Sequence, residues 1–295
     1  MDESVLIEEP TPAVENLTEE PIAPWWHTAV VLLLMGTWAA ISARRTASYE
    51  GAPHPLAYLS QLTMSWMLFG SVVAGVINRR QFFFETLQRH ARSFAGELRR
   101  GATLYVGIYF VAIVVAATAA GAMSVYRAHS SGTRNPATAT HPADTTWPPL
   151  PPAKPEPLAP TRASHFKLDS KTVRAIAPST PLDMLLWLLV SCTAGFCEEH
   201  IFRGYLLKQA MAYVGLAGAP HLLATVLSVA ITSLIFGSLH LYEGVGGAAL
   251  ITVLGAIYAV VALRFGNLRA VIVAHFLQDF VTGLFLFFTH AQALH

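Results

Sequence analysis

Residues 182–205 read LDMLLWLLVSCTAGFCEEHIFRGY, an apolar run that ends in two glutamates, a histidine and an arginine. The run is long enough to cross a bilayer as a helix, which takes roughly 20 apolar residues. An ionisable side chain at membrane depth costs about 3 kcal/mol of insertion free energy, so Glu198 and Glu199 require a structural or chemical reason. This stretch predicts a membrane-spanning helix that carries function.

The composition of the whole chain also indicates a membrane protein. Of its 295 residues, 54% are hydrophobic and 13% are charged, whereas soluble globular proteins have about 25% charged residues. The net charge of +1 offers no concentrated basic surface for phosphates, so we expect no nucleic-acid partner. The expected surroundings are the lipid bilayer.

Six further apolar windows have a comparable length, which predicts about seven spans in total. Backbone polar groups cannot remain unpaired in lipid, so spans of this kind must be helices. No alternating ten-residue pattern indicates a barrel. We therefore expect an all-α, polytopic transmembrane helix bundle. The windows lie at 25–43, 57–77, 102–126, 182–205, 222–242, 245–263 and 269–289.

A basic segment at 79–101 separates the second and third windows. Apolar residues recur there at helical spacing among six arginines, which predicts an amphipathic helix lying on the membrane surface. A basic connecting loop without ordered docking is the alternative. Because cytoplasmic loops are enriched in Lys and Arg, the segment and the N-terminus are expected in the cytoplasm, although Arg44 and Arg45 count against this orientation. No eukaryotic sorting signal is recognisable, so a bacterial inner membrane is expected.

Composition divides the chain into four parts. An acidic leader (1–24) has seven carboxylates and no Lys or Arg, and a three-span unit (25–126) follows it. A Pro-rich linker (127–180) favours polyproline II and cannot build a core. It precedes a four-span unit (181–295) that contains the polar residues of interest.

Glu198 and Glu199 are predicted to have different roles because they are adjacent on a helix. Glu199 and Arg203 are spaced i,i+4 and can form an ion pair that satisfies both. Glu198 is turned away by about 100° and remains a free carboxylate. A free carboxylate at this depth is a candidate general base or metal ligand.

Two further pairs of residues at i,i+4 spacing lie in later spans. FGSLH places Phe236 before His240, and HFLQD places His275 before Asp279. A histidine and a carboxylate one turn apart can act together as ligands, or one can orient the other. Each residue alone also fits a structural role, but their occurrence on three helices of one unit favours a site. Simple antiparallel helices with the predicted boundaries would nevertheless leave Glu198 and His240 at different depths.

The series EEHIFR, FGSLH and HFLQD resembles the three-motif signature of the CPBP family, also called Abi, of CAAX prenyl endopeptidases and bacteriocin-processing proteases. That signature is EExxxR, FxxxH and HxxxN/D in the same order. The resemblance covers residues 182–288, about a third of the chain. It implies an intramembrane endopeptidase acting on a peptide or membrane-protein substrate, prenylated CAAX chains included.

The resemblance also implies roles for individual residues. Glu198 and His240 would activate the attacking water, and His275 and Asp279 would stabilise the oxyanion or bind a metal. Glu199 and Arg203 would form a structural ion pair. The implied cofactor is zinc or another divalent ion held by Glu198, His240, His275 and Asp279, with a metal-independent glutamate mechanism left open. Asp279 stands where many members have Asn, which favours metal binding and disfavours a neutral oxyanion donor.

Two other functions fit the same residues. In an ion- or proton-coupled transporter, the buried carboxylate and histidines would bind the transported ion. In a catalytically silent scaffold, the linker or the leader would hold partners. The sequence does not indicate the oligomeric state.

Overall fold

The computed structural model of the chain describes residues 20–46, 54–132 and 177–292, which form helices and turns without a strand. Most of the acidic leader and most of the Pro-rich linker lie outside these described residues. The helices are α1 (Trp25–Thr46), α2 (His54–Gly75), α3 (Arg79–Phe83), α4 (Phe94–Gly132), α5 (Pro181–Glu199), α6 (Leu207–Leu216), α7 (His221–Ser238), α8 (Val245–Phe265) and α9 (Arg269–Gln292).

Two α-helices continue through wider, π-helical turns, and a short 3₁₀ turn precedes α8. The segment Phe84–Gln88 extends α3, and His200–Leu206 joins α5 to α6 without a break. The 3₁₀ turn is Leu241–Glu243. π-Helical turns within α-helices are often found at functional sites.

Six helices of the described residues are long and apolar enough to cross a membrane. The predicted all-helical membrane bundle is therefore confirmed. The predicted third span, 102–126, lies within α4, which is not among the six. The predicted fourth span is longer than expected, because the helix continues past Tyr205 to Leu216. The six spans are Trp25–Ser42, Pro55–Gly75, Pro181–Leu216, His221–Ser238, Val245–Phe265 and Arg269–Thr289.

The structure groups the spans differently from the predicted three-span and four-span units. One compact unit contains the described residues up to Tyr105 together with 177–292, and residues 106–132 belong to a second unit. In the first unit, α1 contacts the helix that carries the two glutamates, since the His27 Nδ1 and Tyr205 hydroxyl atoms are 2.7 Å apart. The grouping of the spans therefore follows contacts between residues on opposite sides of the linker rather than their order in the sequence.

The predicted continuous amphipathic helix over 79–101 is wrong, because the chain turns at 89–93. His90 has a φ of 52°, which residues other than glycine seldom adopt and which cannot continue a helix. After the turn, the Glu97 carboxylate accepts a hydrogen bond from the Arg92 backbone N–H at 2.8 Å. This acceptor at the start of α4 favours a new helix there.

Helices α5 and α9 run against each other closely enough to align their polar residues. A Cβ atom at Gly195 would lie 2.9 Å from the Ile272 carbonyl oxygen, so glycine permits this approach. Nearer the start of α5, the Trp187 indole N–H donates to the Asp279 carbonyl oxygen at 2.9 Å. The register of the two helices is thereby fixed beside Asp279.

The long helix Pro181–Leu216 also removes the expected mismatch in depth. At 1.5 Å per residue, Glu198 lies roughly 27 Å before the turn between α6 and α7, measured along the helix that leads to this turn. His240 lies at a similar distance after the turn, measured along α7. Because α6 and α7 are antiparallel neighbours, the two side chains reach the same height in the bundle.

Candidate active site

A buried ion pair forms the centre of the polar cluster. Arg203 Nη1 donates to Glu199 Oε1 at 2.8 Å, and Arg203 Nη2 donates to the Gly255 carbonyl oxygen at 3.1 Å. The guanidinium group also lies 4.6 Å from the centre of the Phe236 ring. These contacts satisfy the arginine on three helices, α5 with its π-helical extension, α7 and α8.

His275 joins this ion pair from α9. Its Nδ1 atom lies 2.8 Å from Glu199 Oε1, and because the carboxylate accepts, Nδ1 carries the hydrogen. Its Nε2 atom points the other way, 3.9 Å from Glu198 Oε2 and 3.5 Å from Asp279 Oδ2. The ring therefore connects the buried glutamate to the two more accessible carboxylates.

The two adjacent glutamates differ in their exposure. The Glu199 side chain is 0% exposed, whereas the Glu198 side chain is 19% exposed and the Asp279 side chain is 30% exposed. Glu198 can therefore reach a water molecule that Glu199 cannot. Glu198 is thus a carboxylate that water can reach, whereas Glu199 is held in its ion pair with Arg203.

His240 lies just beyond the end of α7 rather than within the helix. Its Nδ1 atom is 2.8 Å from the Phe236 carbonyl oxygen, which can only accept, so Nε2 is the free nitrogen of the neutral ring. The Phe236 ring packs against both histidines, with its centre 4.9 Å from that of the His240 ring and 6.2 Å from that of the His275 ring.

Burial lowers the pKa of His240, against the raising effects of the Phe236 carbonyl and of the Glu243 and Asp279 carboxylates. A neutral imidazole is therefore favoured near pH 7, and a neutral imidazole can accept a proton. The four predicted residues thus form one cluster, in which His275 lies close to Glu198 and Asp279, and His240 interacts electrostatically with Asp279 and His275.

Tyr242 and Glu243 were missed by the sequence reasoning. Both are half-buried in the 3₁₀ turn after His240, and the Tyr242 ring centre is 5.8 Å from the His240 ring centre. Burial raises the pKa of Glu243, and the Asp279 and Glu198 carboxylates add to the rise, against His240 and a hydrogen bond with Tyr242. The only signal in the sequence was a carboxylate three residues after His240, between two apolar windows.

The side chains do not fit a metal ion as they are arranged here. Within the described ranges, no group of three or more His, Cys, Asp or Glu side chains is placed to hold one. The Nδ1 atoms of both histidines are engaged, by the Phe236 carbonyl and by Glu199, which leaves both Nε2 atoms free to accept a proton or a metal ion. What the arrangement lacks is a third ligand placed together with them.

His200 is adjacent to the glutamates but lies outside the cluster. Its Nδ1 atom is 2.7 Å from the Phe196 carbonyl oxygen, and its ring centre is 4.4 Å from that of Phe196. The rings of Phe69, Phe82 and Phe83 also surround it. These aromatic contacts agree with a structural role.

Comparison with known families covers the same part of the chain. Residues 180–281 match the family model described as Type II CAAX prenyl endopeptidase Rce1-like. Residues 180–281 are therefore similar to the domain of this CAAX-protease family. The match takes in about a third of the chain, and that third contains all three motifs of the CAAX-protease domain. No curated protein and no solved structure matches the chain. The similarity indicates a CAAX-type intramembrane protease.

The buried ion pair is expected to determine the stability of the CAAX-protease domain. Arg203→Met leaves the Glu199 carboxylate buried without its cation, which should lower the free energy of unfolding by about 3–5 kcal/mol. Thermal unfolding in detergent micelles, followed by tryptophan fluorescence, measures the loss. Lys208→Met is the control, because its pair with Glu85 is 24% and 23% exposed and should contribute about 0–1 kcal/mol. Equal losses for both variants would contradict the structural role of Arg203.

Proposed function

We propose that the protein is an intramembrane endopeptidase in which Glu198 is the general base that activates water. The accessibility of Glu198, beside a fully buried Glu199, is the observation that carries this proposal. His240 assists through its free Nε2 atom, which can accept a proton or hold the water. The water then attacks the carbonyl carbon of the scissile peptide bond, and its proton passes to Glu198.

His275 and Asp279 act on the other side of the scissile carbonyl. Attack converts the carbonyl oxygen into an oxyanion, which needs a hydrogen-bond donor. The Nδ1–H group of His275 is already hydrogen-bonded to Glu199. When Nε2 of the same ring is also protonated, its N–H can donate to the oxyanion of the substrate. Asp279, 3.5 Å from Nε2, holds that proton on the ring. The proton taken up by Glu198 is finally delivered to the leaving amine, and the C–N bond breaks.

The substrate class follows the family description. We propose peptide or membrane-protein substrates, with prenylated CAAX chains as the first to test.

We also propose that the N-terminus is cytoplasmic, in a bacterial inner membrane. Cationic residues cluster at one end of the described bundle, after α2, at the start of α6 and around the turn between α8 and α9, as the enrichment of Lys and Arg in cytoplasmic loops favours. They include Arg79, Arg80, Arg89, Arg92, Arg99, Arg100, Lys208, Arg264 and Arg269.

Glu198→Gln should lower kcat for cleavage by about 10²–10⁴-fold, because the amide cannot accept the proton of the water. The assay uses an internally quenched farnesylated CAAX peptide and the full chain reconstituted in liposomes. Glu85→Gln is the matched control and should retain activity, because Glu85 pairs with Lys208 rather than with a residue of the cluster. Both variants should keep the wild-type Tm. Full activity of Glu198→Gln would remove Glu198 from the mechanism, and ion flux without cleavage by the wild type would favour a transporter.

Metal chelation separates the glutamate mechanism from a metal-dependent one. Prolonged dialysis of the wild type against a chelator should leave the cleavage rate unchanged, since the side chains do not form a metal site in this structure. Loss of activity that stoichiometric Zn²⁺ restores would establish a metal-dependent mechanism. The same dialysis of Glu198→Gln controls for effects of the chelator on folding, read as Tm.

Glu243→Gln should shift the acid limb of the pH profile of kcat/KM to lower pH. The Glu243 carboxylate stabilises the protonated form of His240 and so raises the pKa of that histidine. The amide removes this effect, the pKa of His240 falls further, and the neutral ring persists into more acidic solution. We expect a shift of up to about 1 pH unit. An unmoved limb, or a shift to higher pH, would show that Glu243 does not act on the catalytic cluster, and Glu85→Gln should leave the profile unchanged.

A further inference from the structure

A cavity of about 1200 Å³ opens at the basic end of the bundle, within the first compact unit. It lies where α2 and α8 end and where α7 begins, beside the first half of α6 and the residues just before α9. Its cationic lining includes Arg89, Arg92, Arg100, Lys208 and Arg264, with Arg203 also on its wall. The catalytic candidates Glu198, His240, His275 and Asp279 do not line it, so the cavity meets the polar cluster only at Arg203.

Only some of these cations are neutralised by the protein. Lys208 pairs with Glu85, and Arg100 pairs with Glu97 at 3.0 Å. For the side chains of Arg89, Arg92 and Arg264, the described residues supply neither a salt bridge nor a hydrogen-bond acceptor. All three are exposed. The cavity therefore presents three cations that are available to an anionic ligand.

Part of the cavity wall is apolar. Ile77, which is 73% exposed, and Leu263, which is 40% exposed, line the same cavity as the arginines. Both residues adjoin membrane-spanning helices, since Ile77 follows α2 and Leu263 is near the end of α8. A free inorganic anion would not use these surfaces, whereas an amphiphile with a phosphate and an acyl chain would contact both.

We propose that this cavity binds the phosphate headgroup of an anionic phospholipid. The phosphate accepts hydrogen bonds from the guanidinium groups of Arg89 and Arg264, which favour bidentate contacts with phosphate oxygens. The glycerol and the upper part of the acyl chains lie against Ile77 and Leu263. This inference does not depend on the proposed peptidase activity.

The test compares lipid binding by the full-length protein and two double variants of equal charge. Arg89→Gln with Arg264→Gln removes two unpaired cations from the cavity. Arg80→Gln with Arg99→Gln removes two exposed arginines at the same end that do not line it. Native mass spectrometry in detergent measures binding of dioleoylphosphatidylglycerol, dioleoylphosphatidylcholine and inorganic phosphate, and the change in Tm provides a second readout.

The proposal predicts that phosphatidylglycerol binds the wild type and the Arg80/Arg99 variant and raises their Tm. The Arg89/Arg264 variant should bind it about 10- to 30-fold more weakly, with a smaller rise in Tm. Equal weakening in both variants would indicate diffuse attraction to the basic end and overturn the proposal. Equal binding of phosphatidylcholine would overturn the requirement for an anion, and an equal rise in Tm with inorganic phosphate would assign the cavity to a free anion.

Discussion

The carboxylate of Glu199 is the interaction on which the rest of the polar cluster depends. One oxygen, Oε1, accepts both the Arg203 guanidinium and the His275 Nδ1–H, each at 2.8 Å. Since Arg203 also donates to the Gly255 carbonyl, this single oxygen connects α5 with α8 and α9. A charge buried in a membrane is tolerated only when it is paired, so the three helices are held in the one arrangement that pairs it.

The position of Glu198 follows from that of Glu199. Consecutive helical residues differ by about 100° in direction, so fixing one glutamate against Arg203 turns the other toward the space beside His275 and Asp279. The π-helical turn His200–Leu206 starts directly after this pair and carries Arg203. Two identical side chains thus acquire different environments from helical geometry alone, one structural and one available to water.

The sequence was sufficient for interactions within one helix and insufficient for those between helices. The spacing of Glu199 and Arg203, and of His275 and Asp279, follows from 3.6 residues per turn, and the apolar windows follow from the thickness of a bilayer. The hydrogen bond between Glu199 and His275 joins residues on different spans, so the spacing of residues within one helix does not predict it. Local backbone geometry was missed too, because the positive φ of His90 interrupts a pattern that is amphipathic throughout.

The balance of charge in the cluster explains why it suits proton transfer. Four carboxylates, those of Glu198, Glu199, Glu243 and Asp279, act on one another and on the two histidines, and Arg203 is the fixed cation beside them. Adding a proton to such a cluster relieves repulsion among the carboxylates, and in a medium of low dielectric this relief is large. A base in this environment accepts a proton from water more readily than an isolated, solvated carboxylate does. The same repulsion would oppose a further negative charge, so in the proposed mechanism the oxyanion forms on the side where His275 can present its Nε2–H.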